Sequence, residues 1–162
     1  MNIKEKLMKK KFICASREYS SYQKPVHAPY LRRSFELKAA PERAELSICG
    51  LGFYRLFVNG KDITKGHIAP YISNPDHYCY YDSYDIRENL VIGENVIGVI
   101  LGNGMMNSIG GEEWDFQLGD CTGAPRLAIE LSINANGEEL LIEADEEFLT
   151  HPSPILFDDF RM

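Results

Sequence analysis

The sequence predicts an all-β chain, a two-sheet antiparallel β-sandwich with at most one short helical turn, and three stretches carry that prediction. Residues 44–63, AELSICGLGFYRLFVNGKDI, hold two apolar-alternating runs separated by Gly50-Leu51-Gly52. The second run closes on Asn59-Gly60, the dipeptide best suited to the positive φ angles of a tight hairpin turn. Residues 93–104, GENVIGVILGNG, are apolar on both faces, the pattern of a strand covered on both sides, which puts this stretch at the centre of the core. Residues 127–144 give the clearest alternation. Leu127, Ile129, Leu131 and Ile133 face inward against Glu130 and Ser132, Asn136-Gly137 turns the chain, and Leu140, Ile142 and Ala144 return.

The remaining elements follow in chain order. Residues 1–28 read as a basic leader and irregular connection, with material for a helical turn before residue 12 and for a short strand at 12–16. Pro29 opens the sandwich, which the sequence assigns to residues 29–162. In residues 30–37, Leu31, Arg33, Phe35 and Leu37 share one face and Arg32, Ser34 and Glu36 the other, predicting an outer strand with one wet face. Ala44, Leu46 and Ile48 alternate with Glu45 and Ser47 in a half-buried strand. Residues 53–58 carry large groups on both faces and are expected in the interior of a sheet. Prolines 70 and 75 and four tyrosines, Tyr71, Tyr78, Tyr80 and Tyr81, mark residues 69–81 as a long loop feeding a strand at 78–84. Asp85 with Glu88 three residues on approximates a capping box, so one helical turn is expected there. The longest break in the pattern is 105–125, and loops of that length are commonly functional. After Phe148 the sequence reads as irregular, with Pro152 and Pro154.

Length and charge narrow the function. A chain of 162 residues fits one domain that buries about 70% of its extended surface. The net charge is −7, and Lys4, Lys6, Lys9, Lys10, Lys11 and Arg17 sit together near the start, so the body is more acidic still and disfavours nucleic acid. No apolar run is long enough to span a bilayer. The four apolar residues 12–15 fall short of the roughly 7–15 of a signal-peptide core, so a cytoplasmic protein is expected. Cys14, Cys49, Cys79 and Cys121 are far apart without a CxxC pair, which is not a zinc pattern. They are expected as thiols, with Cys49 and Cys79 packing as small hydrophobes.

LGFYRLFVNGKDI, IAPYISNPDHYCYYDSYDI and GENVIGVILGNGM, in that order, resemble the N-terminal β-sandwich domain of bacterial α-L-rhamnosidases, from about residue 29 to the end. The resemblance implies a jelly-roll or galactose-binding-like sandwich. It also implies an accessory role in a glycoside hydrolase whose reaction belongs to a separate helical barrel. The expected partner is thus a catalytic domain of the same polypeptide, missing here, and the chain looks like a fragment.

The residues themselves offer no catalytic set. Glycoside hydrolysis needs two carboxylates facing across a cleft, about 5 Å apart for retention and about 6.5–9.5 Å for inversion. The doublets Glu112-Glu113, Glu146-Glu147 and Asp158-Asp159 are adjacent, and neighbours in an extended chain point to opposite faces. The histidines His27, His67, His77 and His151 are scattered, no nucleophile elbow exists, and no cofactor motif is present. A calcium site at Asp115 and Asp120 lacks an ordered D-x-D-x-D loop. Sugar binding is the more plausible chemistry, since an aromatic ring stacks on a pyranose while polar groups bond its hydroxyls. The candidates are Trp114, the only tryptophan, with Glu113 and Asp115 beside it, and Asn103 and Tyr71 at loop ends. The alternative function is therefore a carbohydrate-binding module for rhamnose-containing glycans. Against it stands Trp114 as a loop anchor or a contact for the catalytic domain. If such a contact face is uncovered, self-association into a homo-oligomer is expected.

Overall fold

The computed structural model describes residues 11–21, 23–73, 77–104 and 123–158. Among these residues nine strands follow in order: β1 (Pro29–Leu37), β2 (Arg43–Leu51), β3 (Phe53–Val58), β4 (Lys61–Asp62), β5 (Asp82–Asp85), β6 (Gly93–Gly102), β7 (Arg126–Ala135), β8 (Glu138–Glu143) and β9 (Leu149–Pro152). A 3₁₀ turn, Arg87–Asn89, lies between β5 and β6. The strands form two antiparallel sheets, one ordered β4-β3-β6-β1-β9 and the other β5-β2-β7-β8. Their inner faces enclose one core, in which Leu46, Ile48, Leu56, Ile97, Leu101, Leu127 and Leu131 have lost all contact with water. Burying each such side chain contributes about 1.5–3 kcal/mol.

The expected corner at Gly50-Leu51-Gly52 passes the chain from one sheet to the other. β2 ends at Leu51, Gly52 takes a φ of 110°, and β3 begins at once in the opposite sheet. This tight passage needs close backbone approach. A Cβ on Gly52 would run into the carbonyl oxygen of Gly102, and one on Gly104 would stand 3.0 Å from the Gly52 backbone. The glycines of both motifs are thus two sides of one contact. Both hairpin turns form as read, with φ of 50° and 79° at Asn59-Gly60 and 52° and 78° at Asn136-Gly137.

The second asparagine of this region explains the Gly-Glu-Asn run. Asn95 is fully buried, yet its amide is saturated. Its Oδ1 accepts from the Val91 N–H at 2.9 Å and from Asn59 Nδ2 at 2.9 Å, while its Nδ2 donates to the carbonyls of Val91 at 2.7 Å and Gly93 at 3.0 Å. The Asn59-Gly60 turn is thereby tied to the loop that leads into β6.

Several expectations are corrected. β1 is not an outer strand, because β9 pairs along Pro29–Arg32 and covers it. The two prolines of that pairing face each other at the strand ends, where a missing N–H interrupts no ladder. Arg33 sits on the inner side of β1, as its spacing requires. Its guanidinium reaches the sandwich rim to meet Asp145 at 3.5 Å and Glu147. The strand expected at 78–84 starts only at Asp82, and the one expected at 12–16 is reduced to a single bridge between Ile13 and Leu127. Ile86, not Asp85, caps the 3₁₀ turn, and no side-chain box closes, although Asp85 Oδ1 accepts the Arg87 N–H at 3.0 Å. β6 is central in its sheet, but only its inner face is sealed. Val96, Gly98 and Ile100 are half-buried on the outside.

Candidate functional site

Three surfaces deserve the name of candidate site, and each is built by a specific feature of the fold. The first is a cavity of about 420 Å³ between residues 15–29, Asn103, Ala124-Pro125 and the β9 residues Thr150, His151 and Pro152. His27 and His151, 124 positions apart, line it together because β9 runs beside β1. Each imidazole is oriented by a carbonyl, His27 Nδ1 on Ser153 at 2.8 Å and His151 Nδ1 on Pro152 at 2.6 Å. Donation from Nδ1 leaves Nε2 of each neutral ring as an acceptor suited to a hydroxyl. An exposed Lys24–Glu18 ion pair of 2.6 Å also borders the cavity. The sequence treats these histidines as scattered, and only the unforeseen β9 pairing brings them together.

Asn103, expected at a loop end, is buried and engaged. Its backbone N–H donates to Asp158 Oδ2 at 2.7 Å, and its Nδ2 donates to the Asp158 carbonyl at 3.0 Å and to Oδ1. Its amide clamps the C-terminal segment to the glycine corner, and the residue also lines the cavity. Gly102 belongs to the same clamp, since a Cβ there would stand 2.8 Å from Asp158 Oδ2.

The second surface is aromatic. Tyr71 is 81% exposed and makes an edge contact with Tyr80 at 6.1 Å, and Tyr80 makes another with Tyr78 at 5.4 Å. The Tyr80 phenol is held above its ordinary value because the neighbouring Tyr78 phenol would repel its charge and is hydrogen-bonded to it. Ile68 and Ile72 are exposed beside Tyr71 in the chain. Tyr71 therefore belongs to a cluster, and Tyr78 and Tyr80 are partners that the sequence reading did not nominate. Glu113, Trp114 and Asp115 lie outside the described residues, as does Asp120. Among the described residues no three His, Cys, Asp or Glu side chains converge to hold a metal ion.

The third surface is a groove of about 630 Å³ on the outer face of the five-stranded sheet. Gly98 forms its floor, with Phe57, Val96, Ile100, Tyr30 and Leu149 around it and Arg32, Thr150 and His151 among its polar members. A glycine at the centre of the sheet leaves this trough open, since a Cβ there would meet only Phe57 at 3.7 Å.

The two-sheet architecture with its sheet-crossing glycine corner defines the class, a β-sandwich module with an apolar outer face. The chain belongs to the family of α-L-rhamnosidase N-terminal domains, whose match covers residues 39–160. It is 34% identical over 137 residues to an α-L-rhamnosidase of Formosa agariphila, a similarity covering 82% of this chain and 14% of that protein. An α-L-rhamnosidase structure from Dictyoglumus thermophilum superposes with a TM-score of 0.79 at 27% identity, covering 96% of this chain and 18% of the other. The α-L-rhamnosidase of Aspergillus terreus, at 21% identity and a TM-score of 0.82 over 96% of this chain and 18% of its own, shares the fold. The chain thus spans 14% of the length of two curated relatives that it matches.

Proposed function

We propose that this chain works as the accessory N-terminal domain of an α-L-rhamnosidase polypeptide, supporting a catalytic domain elsewhere in that polypeptide and shaping access to a rhamnoside. One observation carries the reading. The family match takes up residues 39–160, while the named α-L-rhamnosidases to which the chain is similar devote only 14% of their length to it. The outer groove with Phe57, Val96, Gly98 and Ile100 is the surface such a body would cover, an apolar strip of the kind that soluble domains seldom leave bare. The test is a chimera in which this chain replaces the corresponding domain of the Formosa agariphila protein. Activity on an aryl α-L-rhamnoside and a single thermal transition are expected, and Val96→Asp should lower both. A chimera that behaves like the relative with its domain deleted would sink the proposal. Turnover by this chain alone, abolished by Glu113→Gln, would make it an enzyme in its own right.

The exposed tyrosine cluster favours a second reading, binding of a rhamnose-containing glycan through ring stacking. Titration with L-rhamnose and a rhamnosyl disaccharide, followed by Trp114 fluorescence and amide shifts, decides it. Saturable shifts at Tyr71 and Tyr80 that disappear in Tyr71→Ala support binding, and silence up to high millimolar sugar removes it. Light scattering of the same samples reads self-association through the outer groove.

A further inference from the structure

Cys49 and Cys79 meet on the outer face of the four-stranded sheet, in a small apolar cluster separate from the main core. Cys49 is 3% exposed and lies opposite Ala128 of β7, while Leu51, Cys79 and Tyr81 pack over the pair. The ladder between β2 and β5 explains the meeting. Ile48 pairs with Asp82, so the residues just before Asp82 continue alongside Cys49 and Leu51, with Cys79 on the same outward face as Cys49. The two side chains are hydrogen-bonded, and both stand as thiols. They join elements of different character. Cys49 lies within β2, whereas Cys79 lies in a segment that enters no ladder until Asp82 and that carries the tyrosine cluster.

We infer that Cys49 and Cys79 are a redox-modification site, closing to an intramolecular disulfide on exposure to a low-molecular-weight disulfide and fastening the tyrosine loop to the sheet. The half-buried Cys79 is the thiol that meets the oxidant. Its thiolate attacks one sulfur of oxidised glutathione, forming a mixed disulfide and expelling one glutathione thiolate, which takes up the proton. Cys49 then loses its proton to solvent and attacks the Cys79 sulfur, breaking the mixed disulfide and releasing the second glutathione. Two protein thiols become one disulfide and one glutathione disulfide becomes two thiols. The order of attack follows from burial, which with the neighbouring Cys79 and Asp82 pushes the Cys49 thiol up to about 12 and makes it a poor first nucleophile but a placed second one.

The test is oxidation of the reduced chain with oxidised glutathione, alkylation of remaining thiols after unfolding, and non-reducing tryptic mapping. The expected product joins peptide 44–55 to peptide 66–87 and carries no glutathione. Amide exchange across residues 77–81 should slow about tenfold in the oxidised protein, as closure removes local opening. In Cys49→Ser, and equally in Cys49→Ala, the reaction should stop with glutathione attached to Cys79. Wild-type protein that ends as the Cys79 mixed disulfide with Cys49 alkylated, or that links Cys79 to Cys14 or Cys121, would overturn the inference.

Discussion

Asn95 shows how one residue holds a turn and a strand in register. Val91, Gly93 and Asn59 all bond to its amide, which is itself fully buried. Truncation removes the partner of the Val91 N–H and carbonyl and leaves a hole where the buried amide stood, and an unmet polar group costs more than an ordinary hydrogen bond contributes. Asn95→Ala should therefore lower the unfolding free energy by about 3 kcal/mol, while the exposed neighbour Glu94→Ala stays within about 0.5 kcal/mol. Urea unfolding of the pair reads the difference, and a loss below about 1 kcal/mol for Asn95→Ala would show that solvent reaches the site. The letters Gly-Glu-Asn advertise a strand start. The partners of the asparagine are not legible, because Asn59 arrives from a hairpin 36 positions earlier.

At the scale of elements, β3 and β5 are joined across the sandwich by a polar chain. The Tyr54 hydroxyl donates to Asp82, the Tyr84 hydroxyl stands 3.0 Å from that of Tyr54, and the Lys65 N–H donates to Tyr84 at 3.1 Å. An aspartate opposite the buried Ile48 is tolerated on this inward-facing position because Tyr54 satisfies it. Burial and the bond to Asp82 raise the Tyr54 phenol far above its ordinary 10.0, and burial likewise raises Cys49 from 9.0 to about 12. A raised folded value means that the folded chain holds these protons when the unfolded chain has begun to lose them. Below pH 9 both contribute in full. As pH climbs from 9 toward 12, stability falls, and it should fall less in Cys49→Ala from the start of that window and less in Tyr54→Phe from about pH 10. Thermal midpoints at stepped pH measure this, and parallel curves for all three proteins would refute it. The strands with an inner face were legible from alternation. β9 was not, because all four of its residues are exposed and no buried side chain marks a face. The candidate site fared likewise. Tyr71 could be named from its loop, but its ring partners and the buried clamp of Asn103 depend on contacts that no local pattern encodes.

For the whole molecule, the decisive arrangement is that the incoming and outgoing chain run side by side. Ala28 N–H donates to the Ile155 carbonyl at 3.1 Å, Ser153 N–H donates to the Ala28 carbonyl at 2.9 Å, and Ala28 and Ser153 are both buried. Beyond them Asp158 reaches the glycine corner through Asn103, so the segment after Phe148 braces β1 and the place where the chain crosses between sheets. Both ends of the sandwich thus leave from one region. If the segment is a brace, a chain stopped after Phe148 should lose the β9 ladder and the Asp158 clamp together. It should also bare the β1 edge over Pro29–Arg32, an unpaired strand that recruits other copies. A loss of about 3–5 kcal/mol corresponds to a fall of roughly 10 °C in a domain of this size. Calorimetry should show that fall, with oligomers appearing in light scattering, whereas Asp158→Ala alone should give a smaller fall and remain monodisperse. A truncated chain that melts at the parental temperature as a single species would mean that the sandwich is complete without its last strand, and that β9 belongs to whatever docks beside it.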